Sequence, residues 1–145
     1  GYLPPFKALH ACLDMGASIT MAKGAADAGL EYAVAVIGDS TFTHSGMTSL
    51  LDAVYENAPI TVIISDNEVA AMTGGQDSPG TGRLEAICAG LGVEPEHIRS
   101  LVPLKKNHDE MVRVIKEEMN YRGVSVIIPR RACIHTLNRK KNSKQ

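Results

Sequence analysis

Residues 32–37 read YAVAVI and residues 60–65 read ITVIIS. Each run is short, continuous and rich in β-branched residues, which is typical of a strand buried on both faces of a parallel sheet. Similar runs at residues 98–102 and 124–128 predict two further strands. Because parallel neighbours need a crossover between them, these four runs indicate a sheet whose strands are joined by helices.

Helical patterns occupy the segments around and between these strands. The apolar residues that recur at helical spacing are Ile19, Ala22 and Ala26; Met47, Leu50, Leu51 and Val54; Leu84, Ile87, Cys88 and Leu91; and Met111, Val114, Ile115 and Met119. Gly29, Gly92 and Gly123 predict helix ends, and Asn107 with Glu110 predicts a capping box. The alternation of strands and helices predicts an α/β fold with three layers, a mostly parallel sheet between helices on both faces.

Composition restricts the possible functions. Apolar residues make up 44% and charged residues 21%, and the net charge is −1, so no global charge favours nucleic acid or an anionic membrane. No apolar run approaches the roughly 18 residues of a membrane span, and there is no signal-peptide pattern. The three cysteines are widely separated, which favours a reducing, cytoplasmic setting. We expect residues 1–135 to form one domain cut from a larger subunit, and residues 136–145 to be a linker or tail.

Polar clusters follow the first two predicted strands. Gly38-Asp39-Ser40 comes directly after YAVAVI, and Asp66-Asn67-Glu68-Val69 comes directly after ITVIIS. Ligands of open parallel sheets bind beyond the carboxyl ends of the strands. The Asp39 carboxylate, the Asn67 amide oxygen and the Val69 carbonyl are ligands that suit Mg²⁺, and a diphosphate would supply further oxygens. A helix start near Ser45 would favour the same anion.

These motifs resemble those of a known enzyme class. Thiamine-diphosphate enzymes carry a motif that opens with Gly-Asp-Gly and closes with Asn after one helix and one strand, and Gly38-Asp39-Ser40 with Asp66-Asn67 is similar to its two ends, with Ser in place of the second glycine. The further segments that carry the resemblance are Asp14 to Ile19, Thr41 to Gly46, Asn67 to Gln76 and Ile127 to Cys133. Together they are similar to the large subunit of the 2-oxoacid:ferredoxin oxidoreductases that act on indolepyruvate. The resemblance implies the thiamine-diphosphate-binding, flavodoxin-like variety of the α/β fold.

The resemblance also implies roles for individual residues. Asp39, Asn67 and Val69 would hold Mg²⁺. The residues expected to contact thiamine diphosphate are Met15, Gly16, Ala17, Ser18, Gly38, Asp39, Ser40, Thr41, Asn67, Val69, Thr73, Gly74 and Gly75. His44, beside this site, is an option for proton transfer or for a hydrogen bond at the helix start.

The resemblance implies that the complete enzyme contains more than this chain. It would oxidatively decarboxylate an aryl pyruvate to acyl-CoA, passing electrons through iron–sulfur clusters to ferredoxin. The glutamate that activates the cofactor would come from another domain, and a second subunit would complete the assembly.

Other interpretations of the same motifs stay open at this point. The chain could belong to an oxidoreductase of pyruvate or 2-oxoglutarate, or to a non-oxidative decarboxylase or synthase. It could also be a flavodoxin-like signalling module with Asp39 as phospho-acceptor, or an α/β domain with a purely structural role. Among single residues, Cys12 is interpreted as a buried structural thiol, Arg130 as a solvated strand end with anion binding as the alternative, and His97 as a surface or capping residue.

Overall fold

The computed structural model of the chain describes residues 3–70 and 76–132. Within these residues the helices are α1 (Ser18–Asp27), α2 (Asp39–Thr41), α3 (Met47–Tyr55), α4 (Leu84–Gly90) and α5 (His108–Asn120). The strands are β1 (Ala33–Gly38), β2 (Ile60–Ser65), β3 (Val69–Ala70), β4 (Gln76–Asp77), β5 (Ile98–Leu101) and β6 (Ser125–Pro129). Thr73, Gly74, Gly75 and the predicted tail at 136–145 lie outside the described residues.

The central sheet is parallel, with its strands in the order β1-β2-β6-β5. Four predicted strands are confirmed, and β2 has the predicted bounds, residues 60–65. β1 and β2 are in register over their whole length, so that Gly38 pairs with Ser65 at their carboxyl ends. A short antiparallel pair, β3 with β4, lies beyond that edge of the sheet.

Helices cover both faces of this sheet, which confirms the predicted three-layer α/β fold. On one face, Val62 and Val126 share a buried apolar cluster with Ile19 of α1, Leu50 of α3 and Leu84 of α4. The other face carries α5: the hydroxyls of Thr61 and Ser125 donate to the carbonyl of Glu118 at 3.3 and 3.4 Å. Apolar burial of this kind contributes about 25 cal/mol per Å² of surface removed from water.

The ends of the helices follow the predicted signals in part. Gly29 and Gly92 both have φ +96°, and each lies within two residues of the end of its helix, α1 or α4. The predicted capping box of α5 is wrong. The Asn107 side chain makes no capping bond and instead donates from Nδ2 to the carbonyl of Val102 at 3.0 Å. Leu51, expected on the apolar face of α3, is 50% exposed.

None of the helices in the described part of the chain is long and apolar enough to cross a membrane.

Candidate functional site

The site begins where β1 ends. Because Gly38 and Ser65 are register partners in adjacent parallel strands, Asp39 and Asp66 follow side by side at the same edge of the sheet. A Cβ added at Gly38 would meet nothing within 4 Å. The space above this strand end is therefore open within the described chain, and a ligand can approach the backbone there.

The Asp39 carboxylate is buried and only half satisfied. Asp39 is 3% exposed, and its Oδ1 accepts the N–H of Ser40 at 2.7 Å. Oδ2 is buried and has no hydrogen-bond partner among the described residues. Burial raises the pKa of Asp39, the Ser40 N–H opposes the shift, and the charge of Asp66 adds to it. A buried carboxylate oxygen without a donor calls for an explanation, and a cation bound at that oxygen is one.

A helical segment with an irregular turn follows Asp39. After α2 the chain makes a π-helical turn, Phe42–Gly46, before α3 begins. Gly46 is packed tightly, since an added Cβ would come within 2.9 Å of the side chains of both Ile37 and Phe42. Turns of this type are frequent at functional sites. His44 lies in this turn with an exposed side chain, one helical turn beyond Asp39.

The segment after β2 is folded into two consecutive side-chain-to-backbone turns. Asp66 Oδ1 accepts the N–H of Glu68 at 3.0 Å, and Asn67 Oδ1 accepts the N–H of Val69 at 3.1 Å. Glu68 has φ +66°, which reverses the chain direction at this point. Val69 is buried and begins β3, which lies against α2. The three predicted metal ligands, Asp39, Asn67 and Val69, are thus brought to one edge of the sheet.

Ser78 is a further candidate residue of the site, and the sequence interpretation gave it no role. It is 4% exposed, and its hydroxyl has no hydrogen-bond partner among the described residues. This hydroxyl lowers the pKa of the Asp39 carboxyl against the larger effect of burial, which makes it a neighbour of that carboxyl although the two form no hydrogen bond. The segment is held close by Glu68, whose carbonyl accepts the Thr81 hydroxyl at 3.0 Å and the Ser78 N–H at 3.5 Å. The sequence signal for Ser78 was its place in the glycine-rich segment of residues 73–82, which reads TGGQDSPGTG.

The turn from Met15 to Ser18 packs against the π-helical turn. Gly16 has φ +106°, and a Cβ there would collide with the Ser45 hydroxyl. Met15 is 74% exposed, and Ser18 has a buried hydroxyl with no hydrogen-bond partner in the described part of the chain. Ser40, beside Asp39, has another such hydroxyl. The predicted cofactor contacts before α1 therefore lie next to those after β1.

Three residues outside the site differ from their interpretations. Cys12, expected to be buried, is exposed. His97 is half-buried and contacts a buried carboxylate: Nδ1 lies 2.8 Å from a carboxylate oxygen of Glu118, and the ring stacks on Tyr121. Arg130 is no solvated strand end, because it forms an ion pair with the buried Asp66. Cys88 is buried in the core, as predicted.

The residues present fit a cation that is shared with an anionic ligand. No group of three or more His, Cys, Asp and Glu side chains that could hold a metal occurs in residues 3–70 and 76–132. A cation at Asp39 therefore needs amide, carbonyl and ligand oxygens as well, which is how Mg²⁺ is bound together with phosphates.

Comparison with known proteins agrees with this geometry. The sequence model of the family described as thiamine pyrophosphate enzyme, C-terminal TPP binding domain, matches residues 3–128. Indolepyruvate oxidoreductase subunit IorA of Archaeoglobus fulgidus is 35% identical over 92% of this chain and 22% of its own length. The subunit of the same name from Pyrococcus horikoshii is 33% identical over 92% of this chain and 24% of its own length. The chain thus spans about a quarter of these relatives.

Solved structures share the fold. A thiamine diphosphate-dependent 4-hydroxybenzoylformate decarboxylase from Rhodococcus jostii superposes with a TM-score of 0.61, at 21% identity, over 81% of this chain and 23% of its own. Benzoylformate decarboxylase from Polynucleobacter necessarius superposes with a TM-score of 0.64, at 18% identity, over 81% of this chain and 24% of its own. At this level of identity the likeness concerns the fold alone.

Proposed function

Because this chain belongs to the family of C-terminal TPP-binding domains of thiamine pyrophosphate enzymes, we propose that it holds Mg²⁺ and the diphosphate of thiamine diphosphate in an oxidoreductase. We propose further that the enzyme oxidatively decarboxylates 2-oxoacids, with an aryl pyruvate such as indolepyruvate as its substrate. The similarity to indolepyruvate oxidoreductase subunits supports an oxidoreductase that acts on such a substrate. The chain spans only 22% and 24% of those two proteins, so the activity of a whole enzyme extends beyond it.

The observation that carries the proposal is the buried, unpartnered Oδ2 of Asp39. In our proposal this oxygen, the Asn67 amide oxygen and the Val69 carbonyl hold Mg²⁺. Asn67 Oδ1 already accepts the Val69 N–H, but an amide oxygen has two lone pairs and can bind a cation with the second. This internal bond would hold the amide in place for the metal.

The diphosphate would be bound by the hydroxyls and amides around that metal. The residues we propose for contacts with the cofactor are Met15, Gly16, Ala17, Ser18, Gly38, Ser40, Thr41, Thr73, Gly74 and Gly75. We add Ser78, because an unsatisfied buried hydroxyl beside Asp39 can donate to a phosphate oxygen or to a water on the metal. His44 is proposed to move a proton near the reacting carbon, since its exposed side chain lies at the open edge of the site.

Bound thiamine diphosphate would supply the carbanion that attacks the 2-oxo carbon and the electron sink that allows CO₂ to leave. Other parts of the proposed enzyme would supply the rest. These are a domain with the activating glutamate, a second subunit, iron–sulfur clusters, CoA and the acceptor ferredoxin. The widely spaced cysteines favour a cytoplasmic location for it.

A mutant of the complete enzyme tests the proposal. Asp39→Ala and Asn67→Ala should each abolish indolepyruvate- and CoA-dependent reduction of a viologen dye. Asp109→Asn is the control, because Asp109 is an exposed carboxylate at the start of α5. Unchanged turnover in Asp39→Ala would exclude that residue from the site.

The substrate and the reaction type are tested with the same enzyme. Indolepyruvate should reduce the dye faster than pyruvate or 2-oxoglutarate, and a reversed order would identify another 2-oxoacid:ferredoxin oxidoreductase. Release of an aldehyde without dye reduction would indicate a non-oxidative decarboxylase. Membership of the family argues against a flavodoxin-like signalling role for Asp39.

Calorimetry tests whether this chain is sufficient for cofactor binding. We expect the 145-residue chain alone to bind thiamine diphosphate and Mg²⁺ weakly, because the proposed site uses a second domain to enclose the ring. Tight binding by the chain alone would refute the need for that domain.

A further inference from the structure

Every polar group of Asp66, in the backbone and in the side chain, makes a hydrogen bond. Its side chain is fully buried. Its backbone N–H donates to the carbonyl of Pro129 at 3.1 Å, and its own carbonyl accepts the N–H of Arg131 at 2.9 Å. One carboxylate oxygen accepts the Glu68 N–H at 3.0 Å, and the other accepts Nε–H of Arg130 at 2.5 Å. The residue before Asn67 is therefore fixed to the end of β6 by backbone and side chain alike.

Arg130 in turn is fixed by a second carboxylate. Its two terminal nitrogens each lie 3.0 Å from an oxygen of Glu85 on α4, which forms a bidentate pair. Glu85 also accepts the hydroxyl of Ser100 on β5 at 2.6 Å, and the Arg130 N–H donates to the carbonyl of Leu101 at 2.8 Å. Arg130 thus joins the carboxyl ends of β2 and β6 to α4 through its guanidinium, and it is joined to β5 through its backbone N–H.

The electrostatics of this network agree with its geometry. Arg130 lowers the pKa of Glu85 to about 2. Asp66 is a fully buried carboxylate, and an unpaired charge in that position would be strongly unfavourable. Because the guanidinium uses Nε and both terminal nitrogens on carboxylates of its own chain, it offers little to an external anion.

We infer that Arg130 is a positioning residue: acting through Asp66, it holds the turn of Asn67, Glu68 and Val69 in the geometry that binds the metal. This inference rests on the proposed function. Asp66 Oδ1 bonds the N–H of Glu68, the residue at φ +66°, and that conformation sets the directions of the Asn67 amide and the Val69 carbonyl. Without Arg130, the buried Asp66 carboxylate would have no counterion, and the turn that it supports through the Glu68 N–H would lose that support. Arg130 does not contact the metal in this scheme.

The test uses Arg130→Lys and Arg130→Met in the complete enzyme. Lysine keeps the charge but cannot bridge two carboxylates, since it lacks the planar fork of arginine. Mn²⁺ affinity, measured by electron paramagnetic resonance with saturating thiamine diphosphate, should fall about 10- to 100-fold, the usual effect of losing a group that orients a metal ligand. Arg113→Lys is the matched control, because Arg113 forms an exposed pair with Glu117 on α5; its Mn²⁺ affinity should not change.

A purely structural role would give a different result. It would lower the melting temperature but leave Mn²⁺ affinity unchanged in the folded molecules, and that outcome would overturn the inference. Under our inference, saturating Mg²⁺ restores most of the turnover of Arg130→Lys, because the turn can still be organised by the metal. If Arg130→Met fails to fold, Arg130→Lys decides the matter, together with Glu85→Gln, for which we expect a smaller loss of Mn²⁺ affinity. Failure of the unaltered enzyme to bind Mn²⁺ with thiamine diphosphate would instead refute the proposed function.

Discussion

Replacing Asp39 with asparagine should separate stability from metal binding. Asparagine has nearly the same size and keeps an oxygen for the Ser40 N–H, which donates to Asp39 Oδ1 at 2.7 Å. The substitution removes a buried charge whose other oxygen has no hydrogen-bond partner within the described residues. It also removes repulsion from Asp66, whose charge raises the pKa of Asp39. The cofactor-free chain should therefore become more stable.

The size of the expected change in unfolding free energy follows from the Asp39 carboxylate being buried, charged and unsatisfied at one oxygen. An unsatisfied buried polar group costs about 1–3 kcal/mol, and more when it is charged. The asparagine amide needs an acceptor in its place, for which the Ser78 hydroxyl is available, so part of the gain is offset. We expect the free energy of unfolding to rise by about 1 kcal/mol, which corresponds to roughly 3 °C in melting temperature for a chain of this size.

The gain in stability and the loss of cofactor binding are measured by two separate assays. Urea unfolding of the 145-residue chain in EDTA, followed by circular dichroism, should show the gain in stability. Calorimetry of the complete enzyme with Mg²⁺ and thiamine diphosphate should show the loss of binding. Asp109→Asn should leave cofactor binding unchanged and should not raise the stability, because that carboxylate is exposed and lies in the first turn of α5. A variant that is less stable than the unaltered chain in EDTA, or that binds the cofactor equally well, would refute the reasoning.

Three further predictions concern the surroundings of the site. Gly16→Ala should lower the free energy of unfolding by about 1–3 kcal/mol, since the φ of Gly16 is +106° and a Cβ would collide with a neighbouring side chain. Gly24→Ala is the matched control and should raise the free energy of unfolding by up to about 1 kcal/mol, because the space there is open and alanine favours the helix. The difference in unfolding free energy between the unaltered chain and Glu85→Gln should shrink as the pH falls from 4.5 towards 2, because a lowered pKa gives stability above the ordinary value that is lost on acidification. Iodoacetamide followed by peptide mapping should label the exposed Cys12, and it should leave Cys88, whose pKa burial raises to about 12, unmodified until the chain unfolds.

The sheet could be predicted from the sequence because its signals are local. Continuous β-branched runs gave the strands, and Gly29 and Gly92 marked the ends of two helices through a backbone conformation that glycine favours. The predicted capping box is wrong because the Asn107 side chain donates a hydrogen bond to the carbonyl of Val102 instead of capping α5. Leu51 lies at helical spacing but faces outward, because the stripe that a helix buries depends on what packs against it.

Of the candidate site, the sequence predicts the part that lies in one motif, Gly38-Asp39-Ser40 with Asp66-Asn67. The sequence predicts Asp39 and Asn67 for the candidate site because neighbouring parallel strands end at the same edge, and the structure has β1 and β2 as such neighbours. Ser78 and Arg130 were not predicted, because their roles depend on loops that return to that edge from more distant positions in the chain. Periodicity and motif spacing do not show which distant loops come back to this edge. Serine and arginine are also common as solvated side chains in ordinary loops.

The structure separates two aspartates that the sequence presents as equivalent. Asp39 and Asp66 each follow a buried strand, and both are buried. Asp66 already has a cation, the guanidinium of Arg130, whereas no ion pair is made by Asp39 among residues 3–70 and 76–132. The charge of Asp66 raises the pKa of Asp39, so the two carboxylates repel each other and a positive charge near Asp39 would be favoured. Of these two acids, only Asp39 has an oxygen without a partner among the described residues. In our proposal the pairing of Asp66 with Arg130 leaves Asp39 as the acid that receives the metal. Exchanging Arg130 for a neutral residue should therefore weaken metal binding at Asp39 through the displaced turn.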